Sequence, residues 1–374
     1  MTTIVEVGTK KQIKQFIDFP HDLYVDDVNY VPELYLAQKE HLNTKKNPFF
    51  LHSKVQLYLA MREGKIVGRI AAIRNNNHIQ FTNEQVGYFG YFDTINDYEV
   101  AKILLDKAME WVRAEGLEGI LGPANFSTND TAGVLIDGFD RPPTVMMPYN
   151  KPYYPEFLER YGLQKQMDLY AYLVTGDKVN MKSVNLAGRL EERINKKGIT
   201  IRSVNMKHFK EEANLLRDIY NKAWDKNWGF VPATKEEFQA LAEGLKLIVD
   251  PDFVLIAEHE GKGIGMAVAI PDINQVVRNI PRGRLLPFGI FKLLFGKKNI
   301  RKIRIIILGV VEEYRRMGIE GIFYARIIKR GLEKNYTSAE ASWILEDNEM
   351  MNKGLVNINA EIDKTYRMYQ MYFS

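Results

Sequence analysis

Arg315, Arg316 and Gly318 stand between a run of mostly β-branched residues, Ile305 to Val311, and a stretch with Ile322, Phe323, Ile327 and Ile328 at helical spacing. The first run is too short for a buried helix and predicts an interior strand. The second predicts an amphipathic helix. A strand that enters a helix through a basic, Gly-containing turn brings unpaired N–H groups, the positive end of the helix dipole and two guanidinium groups to one point. That combination suits a phosphate or pyrophosphate, although the same strand, turn and helix also occur in α/β proteins that bind no ligand.

The run Val310, Val311, Glu312, Glu313, Tyr314, Arg315, Arg316, Met317, Gly318, Ile319 resembles motif A of the GNAT acyltransferase superfamily, whose loop reads Arg or Gln, two residues, Gly, one residue, then Gly or Ala. In that family the loop amides hold the pyrophosphate of an acyl-CoA, and the preceding strand pairs with the pantetheine arm. The resemblance implies a cofactor site formed by Leu308, Val310, Val311, Arg315, Arg316, Met317, Gly318, Ile319 and Gly321, for acetyl-CoA or a longer acyl-CoA and without a metal. Asn348 either joins that site or only caps the helix it opens. Glu320 departs from the pattern by standing where Gly or Ala is expected, with Gly321 one place later. A carboxylate there opposes a pyrophosphate unless it turns away.

Moving an acyl group from a thioester to an amine requires a neutral amine, a base or water chain for its proton, a donor for the thioester oxygen and a group that protonates the leaving thiolate. The family often uses a Glu on a central strand and a Tyr near the following helix. Here Glu346 and Asp347 end the run ASWILEDN, and Glu346 is the candidate base. Leu355 stands where the Tyr is expected, which leaves Tyr366, with Tyr369 and Arg367 beside it on the last strand, as the candidate acid; both Tyr also fit ordinary sheet aromatics. Candidate acceptor contacts are Asn125, Ser127 and Asp130 after a strand end, Tyr149 in an aromatic loop, and Trp228 in the loop Trp224, Asn227, Trp228, Gly229, Phe230. Each also reads as turn or core.

Such residues need a scaffold, and 374 residues suffice for two cores. The composition, 46% hydrophobic and 26% charged, is that of a globular protein. The absence of cysteine excludes thiol catalysis, thiolate metal sites and disulfides. His21, His41, His52, His78, His208 and His259 show no metal-ligand spacing. No apolar run approaches the roughly 18 residues that span a bilayer, and MTTIVEVGTKK lacks the apolar core of a signal peptide. A soluble, cytoplasmic protein is expected.

A repeat organises the chain. Ala60-Met61-Arg62-Glu63-Gly64-Lys65-Ile66-Val67-Gly68 matches Ala257-Glu258-His259-Glu260-Gly261-Lys262-Gly263-Ile264-Gly265 at an offset of 197 residues, each copy reading as a hairpin. Upstream, Tyr30-Val31-Pro32 corresponds to Phe230-Val231-Pro232. Two landmarks in the same order predict a duplicated domain, and the order of elements in each copy is again that of a GNAT domain. The expectation is an α/β (α+β) protein of two tandem GNAT-like domains, each a mixed, mostly antiparallel sheet flanked by helices. They cover residues 1–174 and 198–374, with a linker at 175–197 whose Leu186, Leu190 and Ile194 have helical spacing. At the turn where the second copy has its basic loop, the first has Asp93 to Asp97, two acids and no base. The acyl-CoA site is therefore expected in the second copy.

Between Arg278 and Arg304 there are nine Lys or Arg and no Asp or Glu, so the remainder holds 42 basic against 47 acidic residues. A chain that is acidic outside one segment is not a general nucleic-acid binder. Within that segment Leu285, Leu286, Phe288, Ile290, Phe291, Leu293, Leu294 and Phe295 alternate with the cations. This suits peripheral contact with the inner membrane face, a guard over an acyl-chain site, or an excursion packed on its own domain. The function expected is N-acylation of a primary amine, small or lipid-like, from acyl-CoA; the alternative is a catalytically inactive GNAT-fold module that binds a ligand or protein.

Overall fold

The computed structural model describes residues 1–373. In chain order its strands are β1 (Thr2–Glu6), β2 (Lys54–Arg62), β3 (Lys65–Arg74), β4 (Val86–Thr94), β5 (Gly119–Gly122), β6 (Ala124–Asn125), β7 (Thr131–Ala132), β8 (Val134–Asp137), β9 (Gln164–Thr175), β10 (Ile199–Ser203), β11 (Val254–His259), β12 (Lys262–Pro271), β13 (Lys302–Val310), β14 (Ser338–Leu345) and β15 (Glu361–Tyr372). Residues pack into two units. One comprises Met1–Leu169, Asn274–Gly296 and the C-terminal residues from Lys364; the other comprises Tyr170–Ile273 and Lys297–Asp363. The chain thus does not divide once. The stretch 175–197 lies inside the second unit, where its apolar spacing becomes the helix Met181–Asn195.

In the first unit β1 to β4 are antiparallel neighbours, β4 and β5 are parallel, and the C-terminal part of β15 runs antiparallel to β5 and β8. Every residue of β4 is buried. The helix Tyr98–Ala114, capped by Asp97, covers the sheet with Val100, Ala101, Leu104, Leu105, Ala108 and Val112. Helical spacing in the sequence and burial on the sheet therefore coincide. The second unit repeats the plan: β10 to β13 are antiparallel neighbours, β13 and β14 are parallel, and the helix Ile319–Glu333 buries Ile322, Phe323, Ile327 and Ile328.

The duplication extends to backbone detail. Glu63 and Gly64 have φ of 52° and 74°, Glu260 and Gly261 have 50° and 74°, and positive φ at both central residues defines the same tight hairpin turn. Each hairpin also shifts register by one residue at the same place, after Ala60 and after Ala257. A further pair of matching strands, β1 and β10, carries no sequence likeness strong enough to be read beforehand.

Asp93, an acid at the first unit's turn, is 7% exposed and bonds Arg69 through Nε (2.8 Å) and Nη2 (2.7 Å). Tyr24 donates to the same carboxylate (3.1 Å), and Arg69 also donates to the Phe16 carbonyl (2.8 Å). A buried pair persists only when its remaining donors and acceptors are satisfied in this way. The turn is structural.

His21 and His78 are buried in the same unit, each with Nδ1 bonded to a Tyr hydroxyl at 3.0 Å. Burial lowers both from 6.5 to about 4; for His21 the Arg69 charge adds to the effect. Because the folded values lie below the unfolded one, their contribution is fully present above pH 6.5 and is lost as pH falls towards 4. Urea midpoints should hold from pH 8 to 6.5 and then decline, and His78→Gln should flatten that decline.

Candidate active site

The parallel ladder between β13 and β14 runs from Lys302↔Ser338 to Ile305↔Ala341. Both strands continue beyond it, β13 to Val310 and β14 to Leu345. Their exposure changes at that point: Ile303 to Ile305 and Glu340 to Ser342 are buried, whereas Ile306 to Gly309 and Trp343 to Leu345 are half-buried. The two strands separate, and unpaired backbone faces the gap. On its other side β13 bulges, because Val268 pairs with Ile307 and Ala269 with Ile305, leaving Ile306 as the extra residue.

Charges hold the closed end of the ladder. Arg304 and Glu340 are fully buried directly opposite each other in the register. Lys302 donates to Glu340 at 2.9 Å, and Arg304 Nε to Ser342 Oγ at 2.7 Å. Burial alone would depress Lys302, but Glu340 raises its pKa above the ordinary lysine value. The sequence reading missed these residues, since charges on a β-branched strand are assigned to solvent by default.

Beyond Val310 the chain makes a short turn, Glu312–Tyr314, and enters the helix Ile319–Glu333 at Gly318, which no side chain caps. The cap supplies the first-turn N–H groups with no side-chain acceptor; among them the Glu320 amide is taken by its own carboxylate. Three contacts fix the turn. Lys226 donates to Glu312 (2.6 Å), the Tyr314 hydroxyl meets His259 Nδ1 (2.8 Å), and Arg315 donates to the carbonyls of Val310 (3.2 Å) and Ala223 (2.6 Å). Arg315 thus staples the loop with donors that the sequence reading directed at a phosphate. Arg316 is exposed. Gly321 is exposed too, and a Cβ on it would meet nothing within 4 Å.

Glu320 is half-buried on that first turn. Burial raises its carboxyl above the ordinary value, against the opposing pull of its own amide, which it accepts from, and of Arg315. Leu308 and Met317 are half-buried on the second unit's core, and Val310, Val311 and Ile319 are within it. They shape the loop through their backbone.

Asn348 caps the helix Glu349–Asn357 by accepting from Met351 N at 3.2 Å. Glu346 is half-buried in the turn that ends β14, and Asn352 ties this turn by donating to the carbonyls of Leu345 (3.0 Å) and Asn348 (2.9 Å). Trp228 is half-buried in its loop, which is closed by paired bonds between Asn221 and Ala233. Tyr366 belongs to the first unit, fully buried on β15 opposite Leu135. Its neighbours are engaged as well, Arg367 with Asp168 (2.7 Å) and Tyr369 with Glu159 (2.8 Å).

In the first unit the matching gap is filled. The β4–β5 ladder ends at Tyr88↔Leu121, and a Cβ on Gly90 would lie 2.0 Å from the Ala124 carbonyl oxygen. Asn125 Oδ1 accepts from Tyr91 N at 2.7 Å, bridging strands that would otherwise part. Ser127 and Asp130 bond each other (3.3 Å), and Tyr149 donates to Asp27 (3.0 Å). Four of the acceptor candidates thus have structural partners, Ser127 and Asp130 within their own loop, Asn125 and Tyr149 with distant segments of the same unit.

No family model matches the chain. It is 36% identical to Protein YghO of Escherichia coli K12 over 96% of this chain and 93% of that one. It is 34% identical to the bacterial ceramide synthase of Caulobacter vibrioides, over 98% and 97%. Among solved structures, a tandem GNAT protein from the clavulanic acid pathway aligns with a TM-score of 0.56 at 10% identity, covering 100% of this chain and 98% of that one. The fold is that of tandem GNAT proteins. By sequence the chain belongs to the family of YghO and the bacterial ceramide synthase.

Gly318 has φ +83°, and a Cβ there would lie 3.0 Å from Leu190 Cδ1. Gly318→Ala should cost ~1–2 kcal/mol in urea unfolding. Gly321→Ala, in open space on a helix, should be neutral or stabilise by up to about 1 kcal/mol.

Proposed function

We propose that the second unit binds an acyl-CoA with its diphosphate at the N-terminus of the helix Ile319–Glu333 and transfers the acyl group to a primary amine. The observation that carries this is the uncapped first turn, fixed by three contacts and continuous with a strand edge that leaves its parallel neighbour. Anions bind helix N-termini through such amides. From Ile306 to Val310, four steps of strand offer about 13 Å of edge for an extended arm, ending where the ladder closes. The amine attacks the thioester carbon there, a C–N bond replaces C–S, and the amine's proton passes through solvent to the departing coenzyme A thiolate; Glu346, five residues beyond Ala341, lies towards the opposite, diphosphate end of the gap. A catalytically inactive binding module, the reading that Glu320 and Leu355 favour, would bind acyl-CoA without turnover.

Glu320 makes the proposal testable by titration calorimetry. Coenzyme A binding should strengthen as pH falls and Glu320 is neutralised. Removing a unit charge about 4 Å from another is worth ~1 kcal/mol in water, so Glu320→Gln should bind about fivefold more tightly at pH 8 and lose that part of the pH dependence. Absence of any binding at millimolar coenzyme A would refute the reading.

A lipid-like acceptor drawn from a membrane surface is favoured by a separate observation. In the first unit the helix Gly289–Gly296 buries Gly289 and Leu293, while Leu286, Phe288, Phe291, Leu294 and Phe295 are 55–80% exposed. Arg284 pins the segment through Asp18 (2.8 Å) and Lys292 through the Asn279 carbonyl (3.0 Å). Exposed Phe and Leu set among cations suit an anionic bilayer surface, and no described helix is long and apolar enough to cross a membrane. The relative named as a ceramide synthase accords with such an acceptor. Phe288→Ser with Phe295→Ser should cut co-sedimentation with anionic vesicles at least tenfold and leave coenzyme A affinity unchanged. Equal sedimentation of both proteins would remove this variant.

A further inference from the structure

Trp343 has a φ of 60°. The left-handed region is costly for any residue with a Cβ, and a bulky aromatic that adopts it inside a strand is an outlier. Such strain persists only where the surroundings impose it, and it collects where function needs a fixed geometry. Trp343 stands on β14 two residues beyond Ala341, the last residue paired with β13. One left-handed residue turns an extended chain out of its course, and β14 leaves the ladder at this point. The bulge at Ile306 acts on β13, in its pairing with β12, and leaves the course of β14 unexplained.

A strand alternates its side chains between two faces. Ser342 Oγ accepts from Arg304 Nε at 2.7 Å, so Ser342 shares a face with Arg304 and Trp343 belongs on the opposite one. The Arg304 guanidinium nevertheless lies 4.7 Å from the centroid of the Trp343 ring. The left-handed turn has brought the indole round to the arginine. A guanidinium at this distance is attracted to the ring, most strongly where water is excluded, and Arg304 is fully buried. This stack opposes the backbone strain.

The first unit holds the same combination where its own parallel pair ends. Tyr91 has a φ of 49°, stands three residues beyond the pair Tyr88↔Leu121, and carries the buried Arg69 over its ring at 5.3 Å. The aromatic belongs to β4 there and to β14 in the second unit, strands that do not correspond in the two copies. The likeness is therefore no relic of the duplicated sequence; it accompanies the parting of the strands.

We infer that Trp343, held by Arg304, is the positioning residue that keeps β14 away from β13 and so opens the strand edge to the donor's extended arm. This rests on the donor site proposed above. The indole imposes the left-handed turn. Without it, a residue that prefers the extended region lets β14 run on beside β13. The ladder then grows past Ile305↔Ala341, and its new bonds occupy the edge that the arm requires.

Two substitutions separate this role from packing. Trp343→Ala removes the indole and leaves a residue that avoids positive φ, whereas Trp343→Gly removes still more but adopts the left-handed turn freely. Coenzyme A affinity of the full-length protein, measured by calorimetry, should fall about tenfold in Trp343→Ala, the equivalent of the strain that the indole no longer opposes. In Trp343→Gly it should stay within about twofold of the wild type. In the unliganded protein, amide hydrogen exchange across 306–309 and 343–345 should slow in Trp343→Ala alone. Trp343→Val, which shuns positive φ even more, repeats the test if urea unfolding shows that the alanine variant does not fold. The inference is overturned if the alanine and glycine variants bind coenzyme A alike, if glycine is the weaker of the two, as packing alone predicts, or if exchange does not slow in the alanine variant. Failure of the donor site reads differently: no protein, wild type included, then binds coenzyme A, while the exchange contrast still reports whether Trp343 parts the strands.

Discussion

Everything proposed for this protein depends on two parallel strands that stop pairing. A central strand gains its stability from hydrogen bonds on both edges, and leaving one edge open exposes backbone groups that ordinarily find partners. In β13 the open edge begins at Ile306, directly after Ile305↔Ala341, while the other edge stays bonded to β12. The strand is therefore rigid and incompletely satisfied at once, which is what a site that pairs with an extended ligand requires. The bulge adds a second effect by re-aiming Ile306 towards an apolar space.

Such a gap must be held open. Lys302, Arg304 and Glu340 do this from the closed end, where the buried Lys302–Glu340 pair and the Arg304–Ser342 bond tie β13 to β14 in one register. Each ion costs several kcal/mol to bury, so the cluster is better understood as fixing where the ladder ends than as adding stability. From the other end, Lys226, His259 and the Ala223 carbonyl hold the loop. The helix N-terminus is thereby preorganised, and binding need not order it.

The two units show one plan put to different uses. They share hairpin, bulge and a parallel strand pair, yet the first closes its gap with Asn125 and buries Asp93 against Arg69 at the corresponding turn. Only the second combines an open strand edge with an uncapped, glycine-led helix. A duplicated fold can lose one site at little cost when a single amide side chain supplies the backbone bond a ligand would otherwise make.

Much of this was legible in the residues themselves. The β-branched run ending at Val311, the helical spacing from Ile322 and the αL position of Gly318 are local properties, and local sterics express them wherever the segment lies. The hairpins were equally legible, because a Glu-Gly turn dictates its own geometry. By contrast, Asn348 proved to be a cap, Tyr366 a core residue and Arg315 a staple on two carbonyls. Spacing alone does not reveal which partner a polar group will meet.

The sequence by itself determined the elements, their order and the anion-suited turn, since these follow from neighbours a few residues apart. Only the tertiary structure decided where the parallel ladder ends, which gap is filled, that Arg304 and Glu340 are buried, and that 274–296 packs with the first unit. Those outcomes depend on contacts between residues distant in the chain, and on burial that reverses the usual preference of a charge for water.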